Sequence, residues 1–297
     1  MKRRLTALAL AASLAASASA ALLSGPAYAA GDAAAAGGHG AEIARQQWPF
    51  SGFKGTFDKA QLQRGFQVYS EVCAACHGLN RVNFRNLVQP GGPEFPEEAV
   101  KALAAKWPNQ ITDGPNDEGK MFDRPALLSD PMRGPYKNEK EARAAQNGAY
   151  PPDLSLIAKA RGVTRDPAWW KHPFLMLGDI INTYQEGGAD YLYALLTGYV
   201  DAPAGVKVND GMYYNSHFAG NQIGMPPPLA EGSVTYQDGT KGTVDNYARD
   251  ISAFLTWTAD PTQDQRKRIG WQVMLYLLVT TVLLYLGKKR VWSKIKH

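Results

Sequence analysis

The chain has 297 residues, of which 45% are hydrophobic and 20% charged, and its mean hydropathy is −0.31. These values exclude a wholly disordered chain and a transporter with many membrane spans, and no heptad or Gly-x-y repeat is present. Gly (29 residues) and Pro (19 residues) are frequent, so we expect a loop-rich fold. The net charge of +5 is a poor guide, because charge is distributed unevenly along the chain.

The N-terminus has the pattern of a secretory signal. Lys2, Arg3 and Arg4 precede a run of small apolar residues, and Ala27-Tyr28-Ala29 supplies an A-x-A cleavage site. A membrane anchor is the alternative, but Ala and Ser dominate the run and Gly25-Pro26 ends it. We therefore expect residues 1–29 to be removed on export by cleavage after Ala29.

Residues 58–73 predict a helix that leads into a reactive motif. Asp58 followed by Gln61 is a capping pattern. Apolar positions then recur on one helical face: Leu62, Phe66, Tyr69 and Cys73. Gly65 lies beside this face, where the missing side chain would let another helix approach closely.

Two cysteines are present, Cys73 and Cys76, and His77 follows directly. C-x-x-C-H is the attachment signature of c-type haem, in which both sulfurs bond to the haem and the histidine ligates the iron. A disulfide, a thioredoxin-like pair and a zinc site are the alternatives. No βαβ pattern precedes the motif and no second ligand pair has zinc spacing, so the adjacent histidine favours one covalent haem c.

The second iron ligand decides the chemistry, because a six-coordinate iron transfers electrons whereas an open position binds oxygen or peroxide. The candidates are Met121, Met132, Met176, Met212, Met225, His39, His172 and His217. Met225 is distinctive, because Gly224 precedes it and three prolines follow, and such an extended strap is stiff. Composition favours Met225 and leaves His217 open as the next candidate.

A second core helix is predicted after Thr243, a good capping residue. Its apolar face would carry Tyr247, Ile251, Phe254, Leu255 and Thr258, and Pro261 would end it. A haem between an N-terminal and a C-terminal helix describes a mainly α, loop-rich c-type cytochrome head.

The C-terminus predicts one transmembrane helix. Residues 269–286 are 18 residues without a charge, which is about 27 Å of helix against a hydrocarbon core of about 30 Å. Basic residues flank this run on both sides, with Trp271 and Trp292 near its ends. We therefore expect a haem domain at 30–265, an anchor at 266–290 and a cytoplasmic tail at 291–297.

Charge is segregated between the head and the two ends. Of the 32 Lys and Arg residues, 3 lie in residues 1–30 and 8 in 266–297, whereas all 27 Asp and Glu lie between, so the head has a net charge of −6. An acidic head argues against nucleic acid and favours a basic protein partner. Two groups of acids are candidates for a docking surface, with plain solvation as the alternative: Glu94, Glu97 and Glu98, then Asp113, Asp117, Glu118 and Asp123.

Several strings of residues resemble the bacterial members of the cytochrome c1 family, the haem c subunits of the bc1 complex. They are the Cys73–His77 motif, residues 147–155 (NGAYPPDLS), Tyr191 with residues 195–199 (LLTGY), residues 221–227 (NQIGMPP) and Arg266-Lys267-Arg268. The resemblance runs from about residue 45 to the C-terminus, and the mid-chain strings are more specific than C-x-x-C-H.

The resemblance implies further site residues. It implies Met225 as the sixth iron ligand, Arg161 as the partner of a haem propionate and Tyr191 as a neighbour of the haem. A solvated Arg at a helix end is the alternative for Arg161. Residues 162–188 are an apparent insertion that stretches the spacing to Tyr191, and its apolar content predicts packing on the head or on a neighbouring subunit. With both cysteines taken by haem, no intramolecular disulfide is expected.

The resemblance also implies a function and partners. An electron would pass from a Rieske iron–sulfur protein to this haem and then to a soluble or tethered basic cytochrome c, with cytochrome b as a further partner in a dimeric complex. The chain alone would perform no bond chemistry. We expect a single-pass protein of the inner membrane, with its head in the periplasm and its C-terminus in the cytoplasm. A subunit of a terminal oxidase is the main alternative, and a haem peroxidase or nitrite-type reductase is a weaker one.

Overall fold

The computed structural model describes residues 43–52, 54–162, 169–181 and 187–293. The predicted signal peptide and residues 294–297 lie outside these ranges. Eight α-helices occur in the described residues: α1 (Lys59–Glu71), α2 (Glu97–Ala105), α3 (Glu139–Ala145), α4 (Ile157–Ala160), α5 (His172–Ile181), α6 (Gly188–Thr197), α7 (Val244–Ala259) and α8 (Gln263–Trp292). The mainly α, loop-rich class is confirmed.

Short strands connect the helices in three two-stranded antiparallel sheets. They are β1 (Leu79–Asn83) with β4 (Pro131–Met132), β2 (Ile111–Asp113) with β3 (Phe122–Arg124), and β5 (Tyr213–Tyr214) with β6 (Gln222–Ile223). The sheets join loop segments to one another, and the helices supply most of the core.

The two predicted core helices form as expected. Asp58 caps α1 by accepting from the Gln61 amide at 2.7 Å, and Leu62, Phe66 and Tyr69 are buried. Thr243 caps α7 by accepting from the Asn246 amide at 3.2 Å. The predicted apolar face of α7 is buried: Tyr247, Ile251, Phe254, Leu255 and Thr258.

Helices α1 and α7 pack directly against each other at Gly65. A Cβ at Gly65 would lie 2.2 Å from the Asp250 carbonyl oxygen, so a side chain there would force the helices apart. Arg64 secures the crossing, because its Nε donates to the buried Asp250 carboxylate at 2.8 Å. Helices α4 and α6 also pack on α7. The core therefore lies around α7.

Helix α8 is long and apolar enough to span a membrane. It has 30 residues, its most apolar 18-residue window has a mean hydropathy of 1.8, and none of that window is buried. A core helix of a soluble protein would be mostly buried, so the exposure favours a membrane span. Its first turns bind the head: Asp264 accepts from the Phe57 amide at 3.1 Å, and Lys267 donates to the Phe50 carbonyl at 2.6 Å.

Within the 162–188 segment, the apolar side chains described between residues 169 and 177 are exposed and not buried on the head. Trp169–Lys171 forms a 3₁₀ turn that leads into α5, and Trp169 is 84% exposed. Phe174, Leu175, Met176 and Leu177 are exposed as well. Of the two expected contacts, packing on the head is not found for these residues, and packing on a neighbouring subunit stays a prediction.

Candidate haem site

Cys73, Cys76 and His77 lie in a compact turn directly after α1. The Cys76 amide donates to the Cys73 carbonyl at 3.1 Å, and the His77 amide donates to the same oxygen at 2.9 Å. Both thiols are half-buried and are not joined in a disulfide. Two free thiols on one turn, with a histidine beside them, fit the two thioether bonds and the one axial ligand that haem c needs.

The His77 ring is fixed by the backbone of a distant segment. Its Nδ1 lies 2.7 Å from the Pro152 carbonyl oxygen. Because a carbonyl can only accept, Nδ1 carries the hydrogen and Nε2 keeps its lone pair. Burial lowers the pKa of His77, although the Pro152 bond and nearby Asp153 act in the opposite direction. The ring is therefore oriented as a neutral ligand, as in other metal-binding histidines.

The 151–155 string (PPDLS) clasps the chain that follows His77. The Asp153 carboxylate accepts from the Asn80 amide at 2.7 Å and from the Ser155 amide at 2.9 Å. The buried Ser155 hydroxyl accepts from the Arg81 amide at 3.0 Å. These side chains hold Pro152 against His77. This string carries part of the family resemblance, but its sequence alone predicts no role for Pro152, Asp153 or Ser155.

Gly78 and Gly134 bring a second stretch of backbone against the His77 turn. A Cβ at Gly78 would lie 2.6 Å from the Gly134 nitrogen, and a Cβ at Gly134 would lie 3.3 Å from the His77 carbonyl carbon. The neighbouring β1–β4 pairing holds this close approach. Side chains at either glycine would displace the turn that carries the predicted proximal ligand.

A cavity of about 690 Å³ opens beside Cys76. Its walls include Asn80, Arg133, Tyr136, Tyr150 and Asp153. Its volume is typical of a small-molecule or cofactor site. His77, Met225 and Arg161 are not among its lining residues, so the cavity borders the Cys76 edge of the site and does not enclose both axial positions.

Met225 is half-buried and directly follows the β5–β6 sheet. The Tyr199 hydroxyl donates to the Met225 carbonyl at 3.1 Å. Gly224 adjoins Ala149, since a Cβ at Gly224 would lie 3.4 Å from the Ala149 Cβ. Ala149 is three residues before Pro152, a span of at most about 10 Å. One short segment therefore lies near both predicted iron ligands, with Ala149 beside Gly224, the residue before Met225, and Pro152 bonded to His77.

Arg161 and Tyr191 lie on the same side as Met225. Tyr191 is buried on α6; burial raises its pKa, and the opposing influence of Arg161 shows that the two residues are close. Burial and Tyr191 both raise the pKa of Tyr199. Electrostatic interactions therefore link Arg161, Tyr191 and Tyr199, and a hydrogen bond links Tyr199 to Met225. Tyr199 belongs to the 195–199 string (LLTGY), but the sequence pattern alone does not mark it as a site residue.

His217, the open alternative to Met225, lies near this group. Its ring packs on Gly198, and its Nδ1 is buried without a hydrogen-bond partner among the described residues. A zinc site was an alternative for the Cys73–His77 motif. In the described ranges, no group of three or more His, Cys, Asp or Glu residues is placed to hold a metal ion.

Most of the predicted docking acids have a basic partner within the head. Glu94 pairs with Lys59 at 3.3 Å and Asp113 with Arg124 at 2.6 Å. Glu97, Glu98 and Glu118 pair with neighbouring lysines. These contacts reduce the field that the two acidic groups can present to a partner.

Comparison with known proteins identifies the family. Residues 48–295 match the Cytochrome C1 family. The chain belongs to the Cytochrome C1 family. It is 49% identical over 251 residues to cytochrome c1 of Blastochloris viridis, which covers 84% of this chain and 86% of that protein. It is 40% identical over 274 residues to cytochrome c1 of Rhodospirillum rubrum, covering 87% of this chain and 90% of that protein.

A longer relative is also similar. The chain is 47% identical over 248 residues to the "Cytochrome b/c1" of Bradyrhizobium diazoefficiens, which covers 83% of this chain but only 35% of that protein's length. Cytochrome c1 family proteins carry one covalently bound haem c and act in haem-based electron transfer in a bc1 complex. The predicted family and cofactor are confirmed.

Proposed function

We propose that this chain passes one electron at a time from a Rieske iron–sulfur protein to a cytochrome c through a single haem. Cys73 and Cys76 hold the haem covalently, and His77 and Met225 ligate its iron. The observation that carries the proposal is the 149–152 segment, which contacts Gly224 at one end and accepts from His77 at the other. The bound haem supplies one-electron iron chemistry.

The residues around the site hold its ligands in place and prepare them for this role. Burial keeps His77 neutral, the Pro152 carbonyl orients its ring, and Tyr199 holds the Met225 backbone. Arg161 supplies a cation for a haem propionate, and Tyr191 lines the buried side of the same group. An iron with both axial positions filled by protein leaves none for oxygen or peroxide, which favours electron transfer.

The chain is arranged as an exported head on a single membrane anchor. Residues 1–29 are a cleaved signal, 30–265 the periplasmic haem domain, 266–290 the anchor in the inner membrane and 291–297 the cytoplasmic tail. Five cations follow the apolar run, at positions 288–290, 294 and 296, and the positive-inside rule places them in the cytoplasm. The exposed, apolar surface of α8 supports the anchor.

The partners are cytochrome b, the Rieske protein and a basic cytochrome c acceptor, within a dimeric complex. Family membership supports the first two, and the net charge of −6 on the head supports the third.

Purification from mild-detergent extracts tests the assembly. The full chain, tagged at its C-terminus, is expected to bring down a b-type protein with two haems and an iron–sulfur protein with a Rieske electron paramagnetic resonance signal. Recovery instead with the subunits of a terminal oxidase would contradict the proposal.

A further inference from the structure

A short apolar helix stands exposed beside the head. In α5 and the turn before it, Trp169 is 84% exposed, Phe174 72% and Met176 64%. Soluble surfaces rarely collect large apolar side chains in one place without a partner. This segment lies within residues 162–188, to which the proposed electron route assigns no role.

The residues at which this segment leaves and rejoins the head lie next to the membrane anchor. On α4, Lys159 pairs with the buried Asp260 at 3.2 Å, and Arg266 in the first turns of α8 pairs with the same carboxylate at 2.5 Å. The segment departs after Arg161 and returns at Gly188. A Cβ at Gly188 would lie 1.6 Å from the Ala158 carbonyl oxygen and 3.0 Å from that of Arg161. Both ends are thus held at α4, beside the base of α8.

The exposed side chains surround the first part of α5, up to Leu177. Phe174, Leu175, Met176 and Leu177 are consecutive, so they project about 100° apart around the helix axis. Each is more than two-fifths exposed. One protein surface can cover one face of such a helix, but lipid acyl chains can cover all of them. Apolar exposure on all sides of this turn of α5 therefore favours a lipid environment over a single protein partner.

The turn before α5 has the chemistry of a membrane interface. Trp169 and Trp170 are exposed, and the Lys171 amine lies 5.2 Å from the centre of the Trp170 ring. Trp and Lys suit the headgroup region, because each combines an apolar body with a polar end. The ten residues of α5 span about 15 Å, too short to cross a hydrocarbon core of about 30 Å.

We propose that Trp169–Ile181 is a second membrane contact of this protein, embedded in the interface of the bilayer that α8 spans. A helix alone lets the head rotate about one axis, whereas a second contact beside it restricts that rotation. This inference does not depend on which residues ligate the haem iron.

Photo-crosslinking in the full chain tests the proposal. A benzophenone amino acid replaces Phe174 or Met176, which lie about 200° apart around α5, and the protein is irradiated in its native membrane. Adducts are identified by mass spectrometry, and an unchanged haem absorption spectrum shows that the head has folded. Met121 is a matched control, because it is 61% exposed on the head, close to the 64% of Met176.

Phospholipid adducts from both positions 174 and 176, and none from position 121, are the expected result. Protein adducts in place of lipid adducts at either position of α5 would overturn the proposal in favour of a partner subunit. The absence of lipid adducts at 174 and 176, or lipid adducts at 121 as well, would also overturn it.

Discussion

The two sides of the candidate haem site are built very differently. On the His77 side, the ring donates to Pro152, and the His77 backbone binds both the Cys73 carbonyl and the Tyr69 hydroxyl. On the Met225 side, the described contacts include one hydrogen bond, from Tyr199 to the Met225 carbonyl. The chain therefore fixes the His77 ring even without haem, whereas the position of the Met225 side chain depends more on its bond to iron.

Replacing Met225 by leucine is expected to have the largest effect on the haem. Met225→Leu removes the thioether while keeping an apolar side chain of similar size, so the sixth position opens. We expect the midpoint potential to fall by on the order of 100 mV, because axial ligands set haem potentials over about 0.8 V. Redox titration measures the potential, and carbon monoxide binding to the reduced haem reports the open position.

The matched control for that variant is His217→Asn. If Met225 is the ligand, this change leaves the potential and the six-coordinate spectrum unaltered. Loss of the sixth ligand in His217→Asn, with wild-type behaviour in Met225→Leu, would reverse the assignment.

On the His77 side, Asp153→Ala removes acceptors from the amides of Asn80 and Ser155. Hydrogen bonds to a charged group contribute about 1.5–3 kcal/mol, so we expect a loss of about 2 kcal/mol. For a head of this size that corresponds to a decrease in Tm of about 4–8 °C. Thermal unfolding of the haem-loaded protein measures it.

Asp117→Ala serves as the control for Asp153, because Asp117 is exposed on a loop and its removal should change stability by less than about 0.5 kcal/mol. Equal decreases in Tm for the two variants would show that the Asp153 clasp does not stabilise the head.

A smaller effect is expected on the Met225 side from Tyr199→Phe, which removes the hydroxyl that binds the Met225 carbonyl. One neutral hydrogen bond contributes about 1 kcal/mol, or about a fivefold change in an equilibrium. Cyanide should therefore displace the sixth ligand about five times more readily than in the parent protein. Spectral titration with cyanide measures this, and unchanged affinity would show that Met225 is held by other contacts.

The smallest expected effect is that of salt on the rate of electron transfer to the cytochrome c acceptor. Salt shortens the Debye length from about 10 Å at 0.1 M to about 3 Å at 1 M. Because the head has a net charge of −6 but most predicted docking acids are paired internally, electron transfer to a basic cytochrome c should slow only about twofold. Stopped-flow kinetics measure the rate, and a rate that rises with salt would contradict electrostatic attraction.

Local patterns predicted the parts of the fold that depend on local chemistry. The Asp58 and Thr243 caps, the buried faces of α1 and α7 and the close approach at Gly65 all follow from residue type and helical spacing. The clasp by Pro152 and Asp153 could not be predicted in this way, because its bonds join residues more than 70 positions apart and Pro152 contributes only a carbonyl. The three small sheets could not be predicted either, because strands of two to five residues show no clear alternation of apolar and polar residues.

Residues 162–188 show what composition alone cannot predict. Their apolar composition predicts a contact, but composition does not say which surface covers it. The exposure of Trp169 and of four consecutive residues of α5 could not be predicted from composition, since burial is a property of the whole fold.

Nuclear magnetic resonance of the reduced holoprotein, with methyl-labelled methionine, tests the pairing of His77 with Met225 most directly. A methionine methyl bound to haem iron lies over the porphyrin ring, so its resonance moves far upfield of the others. The account predicts one such resonance, lost in Met225→Leu and retained in His217→Asn. A spectrum without an upfield methyl, or one whose upfield methyl survives Met225→Leu, would contradict it.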